Sequence, residues 1–99
     1  MVKHIVLWNF LPELSVEQRK EAGEAIKRDL TQLKEHIKGI LELDVIINEL
    51  ESSNKEIALI SAFETIEDLN AYQIHPEHVK AASFIRNVTC DRACLDYKN

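Results

Sequence analysis

Little in this chain breaks or links. It holds two glycines and two prolines in 99 residues, so it has no room for linkers or low-complexity tracts. Its basic residues come in runs of no more than two, and 12 Lys and Arg face 17 Asp and Glu for a net charge of −5. A protein that wraps a phosphate backbone needs clustered cations, so nucleic acid is not an expected partner. No apolar run is long enough to cross a bilayer. The first ten residues are apolar but carry Lys3 and His4, and Pro12 closes the stretch. It is too short for a span and lacks a small-residue cleavage site. The expectation is a soluble, cytoplasmic protein with no membrane partner. No phosphate loop, dinucleotide fingerprint or Ser/His/Asp arrangement is present, so no cofactor is expected.

Cysteine is nearly absent too. Cys90 and Cys94 stand four apart. On a regular strand they share a face about 13 Å apart, whereas a disulfide needs Cα atoms within about 7 Å. Zinc needs more ligands than this pair supplies. The expectation is two half-buried reduced thiols, as suits a reducing compartment. By the same alternation Arg92 lies on their face, the one cation placed to lower their pKa.

What is present is hydrophobic surface in a short chain. Residues 1–99 make one domain, and a chain of this size buries only about 60–65% of its unfolded surface. Its 45% of hydrophobic residues must pack tightly or be shared across an interface.

Residues 2–10 (VKHIVLWNF) read as a strand with Val2, His4, Val6, Trp8 and Phe10 on one face and Lys3, Ile5, Leu7 and Asn9 on the other. Ser15 and Gln18 form a capping box. The helix that follows runs to about Lys38, with Gly23, Ile26, Leu30, Leu33 and Ile37 as its apolar stripe. Glu24 and Arg28 are spaced to pair on its wet side, and Gly39 is expected to end it as a left-handed cap. Residues 40–50 form a second strand, with Leu41, Leu43, Val45 and Ile47 on one face. Ser52–Asn54 mark a turn, and residues 56–64 form a strand buried on both faces. Thr65 opens a second helix that reaches Ile74. Pro76 disfavours helical geometry at His75 and starts a third helix, which holds Val79, Ala82, Phe84 and Ile85. Residues 88–97 form the last strand.

The order β-α-β-β-α(α)-β is the ferredoxin-like plan, an α+β fold with helices on one face of a four-stranded antiparallel sheet. The other face, with Ile5 and Leu7, is left bare and more apolar than a monomer usually shows. Face-to-face pairing with a second copy would bury it, and so would a flat ligand or another partner.

The densest polar cluster is Tyr72-Gln-Ile-His75-Pro76-Glu77-His78. His78 falls in the first turn of a helix, where the dipole disfavours imidazolium and keeps the ring neutral, the form a general base needs. Tyr72 can offer a phenolic donor to a carbonyl oxygen. If the His4 face looks toward the helices, His4 and Trp8 line the gap beneath them. The plainer reading of the same residues has His75 capping a helix, His78 packing on the surface and Tyr72 as a core ring with a wet hydroxyl. His36, near the end of the first helix, suits its dipole. His4, His75, His78 and Glu77 match no strong metal pattern, and no metal site is expected.

The opening VKHIVLWNF, the segment ALISAFETIEDLNAY, the HPEHV motif and the closing DRACLDY together resemble the stress-responsive A/B barrel (Dabb) family of the dimeric α+β barrel superfamily. The resemblance implies a homodimer whose two sheets form a barrel with the helices outside. Some members are stress-associated proteins without assigned chemistry. Others are plant polyketide cyclases that close a ring by aldol condensation without a cofactor. In those, a Tyr and a His of a Y-x-x-HP-x-H motif act on the substrate, and they match Tyr72 and His78. His4 matches a pocket-lining residue, and Trp8 and His75 are taken as ligand-binding neighbours. Two functions follow as expectations. One is a homodimer that binds a small apolar molecule between sheet and helices. The other is a cofactor-independent, cyclase-like lyase with a His/Tyr acid–base pair.

Overall fold

A computed structural model describes residues 1–47 and 50–99. Its elements are β1 (Val2–Phe10), α1 (Val16–His36), β2 (Ile40–Ile47), β3 (Ile57–Phe63), α2 (Ile66–Ile74), α3 (Pro76–Val88) and β4 (Thr89–Lys98). The four strands form one antiparallel sheet in the order β2-β3-β1-β4. This is the ferredoxin-like arrangement, with the third helix as an addition. The part of the expected second strand at residues 48 and 49 lies outside the described residues.

β1 alternates strictly. Val2, His4, Val6, Trp8 and Phe10 are buried against the helices, while Lys3, Ile5, Leu7 and Asn9 are half-buried on the opposite side. Residues paired across a ladder share a face. Ile5 therefore sits beside Ile60 and Leu95, and Leu7 beside Ala58 and Ala93. Ala58 in turn pairs with Ile46. Ile46, Leu95 and Tyr97 are exposed, so an apolar strip runs across the helix-free face. β3 is buried along its helix-facing residues Ile57, Leu59, Ser61 and Phe63. It is not buried throughout on both faces, because Ala58 and Ile60 open onto that strip.

α1 packs on the sheet through Ala22, Gly23, Ile26, Leu30 and Leu33. Its capping box is complete: the Gln18 amide donates to Ser15 Oγ (3.1 Å), and the Ser15 amide donates to Gln18 Oε1 (2.8 Å). At Gly23 a Cβ would sit 3.4 Å from both Ile47 and Phe10, ordinary contact, so the helix lies as near the sheet as an alanine would allow. The expected Glu24–Arg28 pair gives way to Arg28 Nε donating to Asp29 (3.4 Å). The helix ends two residues early, at His36, with Ile37 extended as its cap residue. Gly39 is left-handed (φ 87°), but it shapes the turn into β2 instead of capping the helix. The turn sits directly on α2: a Cβ at Gly39 would lie 2.7 Å from Asp68 Cβ.

Two β-bulges move residues off the faces that simple alternation assigns. In β2 the register slips between Ile40 and Glu42, which leaves Leu41 exposed instead of on the face of Leu43, Val45 and Ile47. In β4 the slip falls between the partners of Leu7 and Asn9, with Asp91 at φ 54°. Cys90 pairs with Asn9 on the helix-free side, while Cys94 pairs with Val6 on the helix side. The two free thiols thus occupy opposite faces, and Cys94 is exposed rather than half-buried. Arg92 shares a face with Cys94 alone.

α2 begins at the Thr65 cap, whose Oγ1 accepts from the Asp68 amide (3.1 Å). His75 breaks α2 from α3 in extended geometry (φ −63°, ψ 136°), as a residue before proline prefers. α3 buries Ala81 and Ile85. Val79 and Phe84 lie on its exposed side.

Candidate functional site

The helix-facing side of β1 and β3 and the inner sides of α1, α2 and α3 line a partly open cavity of about 350 Å³. Val6, Trp8, Leu30, Leu59 and Ile85 make its apolar walls, and His4, Tyr72 and His78 supply polar atoms. The size falls at the lower end of small-molecule sites, about 300–1,000 Å³. Four residues expected at the site are therefore brought together: His4, Trp8, Tyr72 and His78. His75 is placed elsewhere. Its Nδ1 accepts from the Glu77 amide (3.1 Å) and caps α3.

Tyr72 occupies the last turn of α2 with its side chain fully buried. Its ring packs on Phe63 (centroids 4.9 Å apart), on His78 (4.4 Å) and on the edge of His4 (6.3 Å). Its hydroxyl is buried without a hydrogen-bond partner, alone among the side-chain nitrogen and oxygen atoms of the described residues. Burial pushes its pKa far above the ordinary phenol value, so the group stays protonated as a donor.

His78 is the third residue of α3, as the position of Pro76 requires. Its Nδ1 lies 3.0 Å from the Gln73 carbonyl oxygen. A carbonyl only accepts, so Nδ1 carries the hydrogen, and in the neutral ring Nε2 keeps its lone pair. Burial lowers the His78 pKa, partly opposed by the Gln73 bond, and the positive charges of Arg92 and Arg86 add to the lowering. The ring is thus a neutral base near pH 7.

His4 rises from the middle of β1 and is almost wholly buried. Its backbone carbonyl accepts from Ser61 Oγ (2.7 Å), which ties the strand to β3. Its Nδ1 bonds the carboxylate of Asp96 across the β1–β4 ladder. That engagement fixes the ring. Cys94 Sγ stands 3.9 Å from the same Nδ1 and 3.6 Å from Asp96 Oδ1, so His4, Cys94 and Asp96 form a three-donor cluster at the cavity's β4 side. It is a different set from His4, His75, His78 and Glu77. Desolvation and Asp96 raise the Cys94 pKa, so the thiol is not an activated nucleophile.

Sequence reasoning missed Arg86, Arg92 and Asp96. Asp96 follows from the register, which pairs it with His4. Arg92 reaches the cavity by way of the bulge, and the signal for that bulge was an Asp inside a strand, a residue poorly suited to strands and tolerant of left-handed geometry.

The sheet order, the helix layer and the cavity between them define an α+β protein of ferredoxin-like fold with a polar-lined pocket. The stress responsive A/B barrel domain model matches residues 2–99, and the chain belongs to that family. A dimeric protein of unknown function and ferredoxin-like fold from Bacteroides fragilis NCTC 9343 is 33% identical over 99% of this chain and 95% of its own, with a TM-score of 0.93. A dimeric ferredoxin-like protein of unknown function from Thermobifida fusca is 20% identical, covering 99% and 90% of the two chains, with a TM-score of 0.80. The hydroxynitrile lyase from Passiflora edulis shares the fold at 19% identity, covering 97% and 90%, with a TM-score of 0.77. No curated protein matches the chain. No helix among the described residues is long and apolar enough to cross a membrane.

Proposed function

We propose that the chain, as one domain over residues 1–99, forms a cytoplasmic homodimer that binds a small, largely apolar carbonyl compound in the cavity between sheet and helices. The observation that carries this reading is the buried, unpartnered Tyr72 hydroxyl beside the cavity. A buried donor left unbonded costs about 1–3 kcal/mol. A ligand carbonyl accepting from Tyr72 removes that penalty, while Val6, Leu30, Leu59 and Trp8 take the apolar part. Pairing through the helix-free face is supported by the apolar strip of Ile5, Leu7, Ile46, Ile60 and Leu95, and by the dimeric relatives of the same fold. The two free thiols suit a reducing compartment.

The chain has a single tryptophan, and it lines the cavity, so its fluorescence reports occupancy. Acetophenone should quench Trp8 saturably, and Tyr72→Phe should weaken the interaction several-fold. Non-saturable quenching, equal in both proteins, would remove the pocket reading.

A second reading, a cofactor-independent lyase of cyclase type, is favoured by one further observation: His78 presents Nε2 as a free base next to Tyr72. Nε2 would take a proton from the carbon beside a ligand carbonyl while Tyr72 donates a hydrogen bond to the forming enolate oxygen. The enolate carbon would then bond to a second carbonyl carbon, and the proton on His78 would pass to the new alkoxide. In deuterated water, wild-type protein should speed exchange of the acetophenone methyl protons, and His78→Gln should lose that effect. Exchange at the uncatalysed rate with wild-type protein would leave binding alone.

A further inference from the structure

Arg86 on α3 and Arg92 on β4 also line the cavity, and beyond their charge on His78 the roles given to Tyr72 and His78 leave their hydrogen-bonding groups unused. Both are exposed, whereas Tyr72, Leu30, Leu59 and Val6 are buried. The arginines therefore stand at the mouth, and the phenol lies inside.

Neither arginine forms an ion pair among the described residues, in a chain with 17 acids to 12 Lys and Arg. Asp96, which alternation puts on the same face of β4 as Arg92, is held by His4. The Cys94 thiol beside Arg92 stays protonated and offers no counter-charge. Arg92 also reaches this side only because the bulge carries Asp91 in a left-handed conformation. Bulges recur beside binding sites, where they re-aim a side chain. Two guanidinium forks at the open end of an apolar pocket match an anionic oxygen group, which they can hold bidentately.

We propose that Arg86 and Arg92 bind a carboxylate on the ligand, so that the pocket's substrate class is a small apolar carbonyl compound that carries an acid group. This rests on the reading of the cavity as a binding site. The carbonyl lies inside against Tyr72, the hydrocarbon body lies on Trp8 and Leu59, and the carboxylate lies at the mouth.

The test titrates Trp8 fluorescence at low salt with two probes of one shape, para-acetylbenzoate and its neutral amide, para-acetylbenzamide. The acid should bind at least about tenfold more tightly than the amide, the scale of a charge-assisted hydrogen bond. That preference should shrink as salt rises. Arg92→Gln and Arg86→Gln should each reduce it, and the double variant should bring it within about twofold. Both positions are exposed, so the fold is not at stake, and a thermal melt checks this. Equal binding of acid and amide to wild-type protein would overturn the carboxylate assignment alone. So would a preference that survives in the double variant. If neither probe binds, the pocket reading falls and the assignment falls with it.

Discussion

The rings of Tyr72 and His78 lie 4.4 Å apart, centroid to centroid, and meet at 48°. Tyr72 lies in the last turn of one helix and His78 in the first turn of the next, and the break at His75 brings their rings together at a tilt. The pair is therefore set by local chain geometry, and its exposure to ligand is set by the sheet beneath it.

Removing the Tyr72 hydroxyl should make the empty protein more stable. Phenylalanine keeps the ring packing on Phe63 and deletes a buried donor that has no partner. Tyr72→Phe should gain about 1 kcal/mol in urea unfolding. A loss of stability would mean that the hydroxyl is bonded in solution.

The depressed His78 pKa predicts a loss of stability in mild acid. The unfolded chain takes up a proton near pH 6.5, while the folded protein does so only at lower pH, because burial disfavours imidazolium. Stability from this group is complete above about pH 6.5 and falls as pH drops toward the folded pKa. His78→Gln should flatten the pH dependence of the urea midpoint in that window. Identical profiles for variant and wild type would refute the shift.

Gly39→Ala should destabilise the fold by about 1–3 kcal/mol. The new methyl meets a positive φ and the Cβ of Asp68 at 2.7 Å. Because α2 carries Tyr72, the same variant should also weaken acetophenone binding. Unchanged melting and binding would show that the turn and α2 relax at no cost.

Ile5→Asp should separate the proposed dimer. Ile5 lies between Ile60 and Leu95 on the helix-free face, and neither side chain can donate a hydrogen bond to a buried carboxylate. Native mass spectrometry should show a dimer for wild type and a monomer for the variant. A monomeric wild type would require another cover for the strip.

Much of this architecture is legible in the sequence because side-chain periodicity carries it. The two faces of β1, the α1 stripe and the helix break at Pro76 each follow from a repeat or a fixed dihedral. The position of His78 in the first turn follows from the same proline. What escapes periodicity is a change of phase. Leu41 leaves its face at one bulge, and Cys90 parts from Cys94 at the other, because one inserted residue reverses every later assignment. Arg92 was invisible as a pocket residue for that reason, although Asp91 marked the place. Arg86 and Asp96 depend on which elements stack in space, which no local pattern states. His75 shows the converse difficulty: a polar residue in a dense motif looks like part of a site until its acceptor is seen bonded to the Glu77 amide.

The bulge at Asp91 has a consequence for length variation in this strand. Elsewhere in a ladder, losing one residue turns every side chain beyond it to the wrong side. Here β4 holds one residue more than β1 opposes, since Asn9 faces Cys90 and Leu7 faces Ala93, with two residues left for Trp8 alone. Deleting Asp91 would restore a one-to-one match and keep Arg92, Cys94 and Asp96 on the side they now occupy. The start of this strand is thus a place where a deletion is mild and an insertion is not.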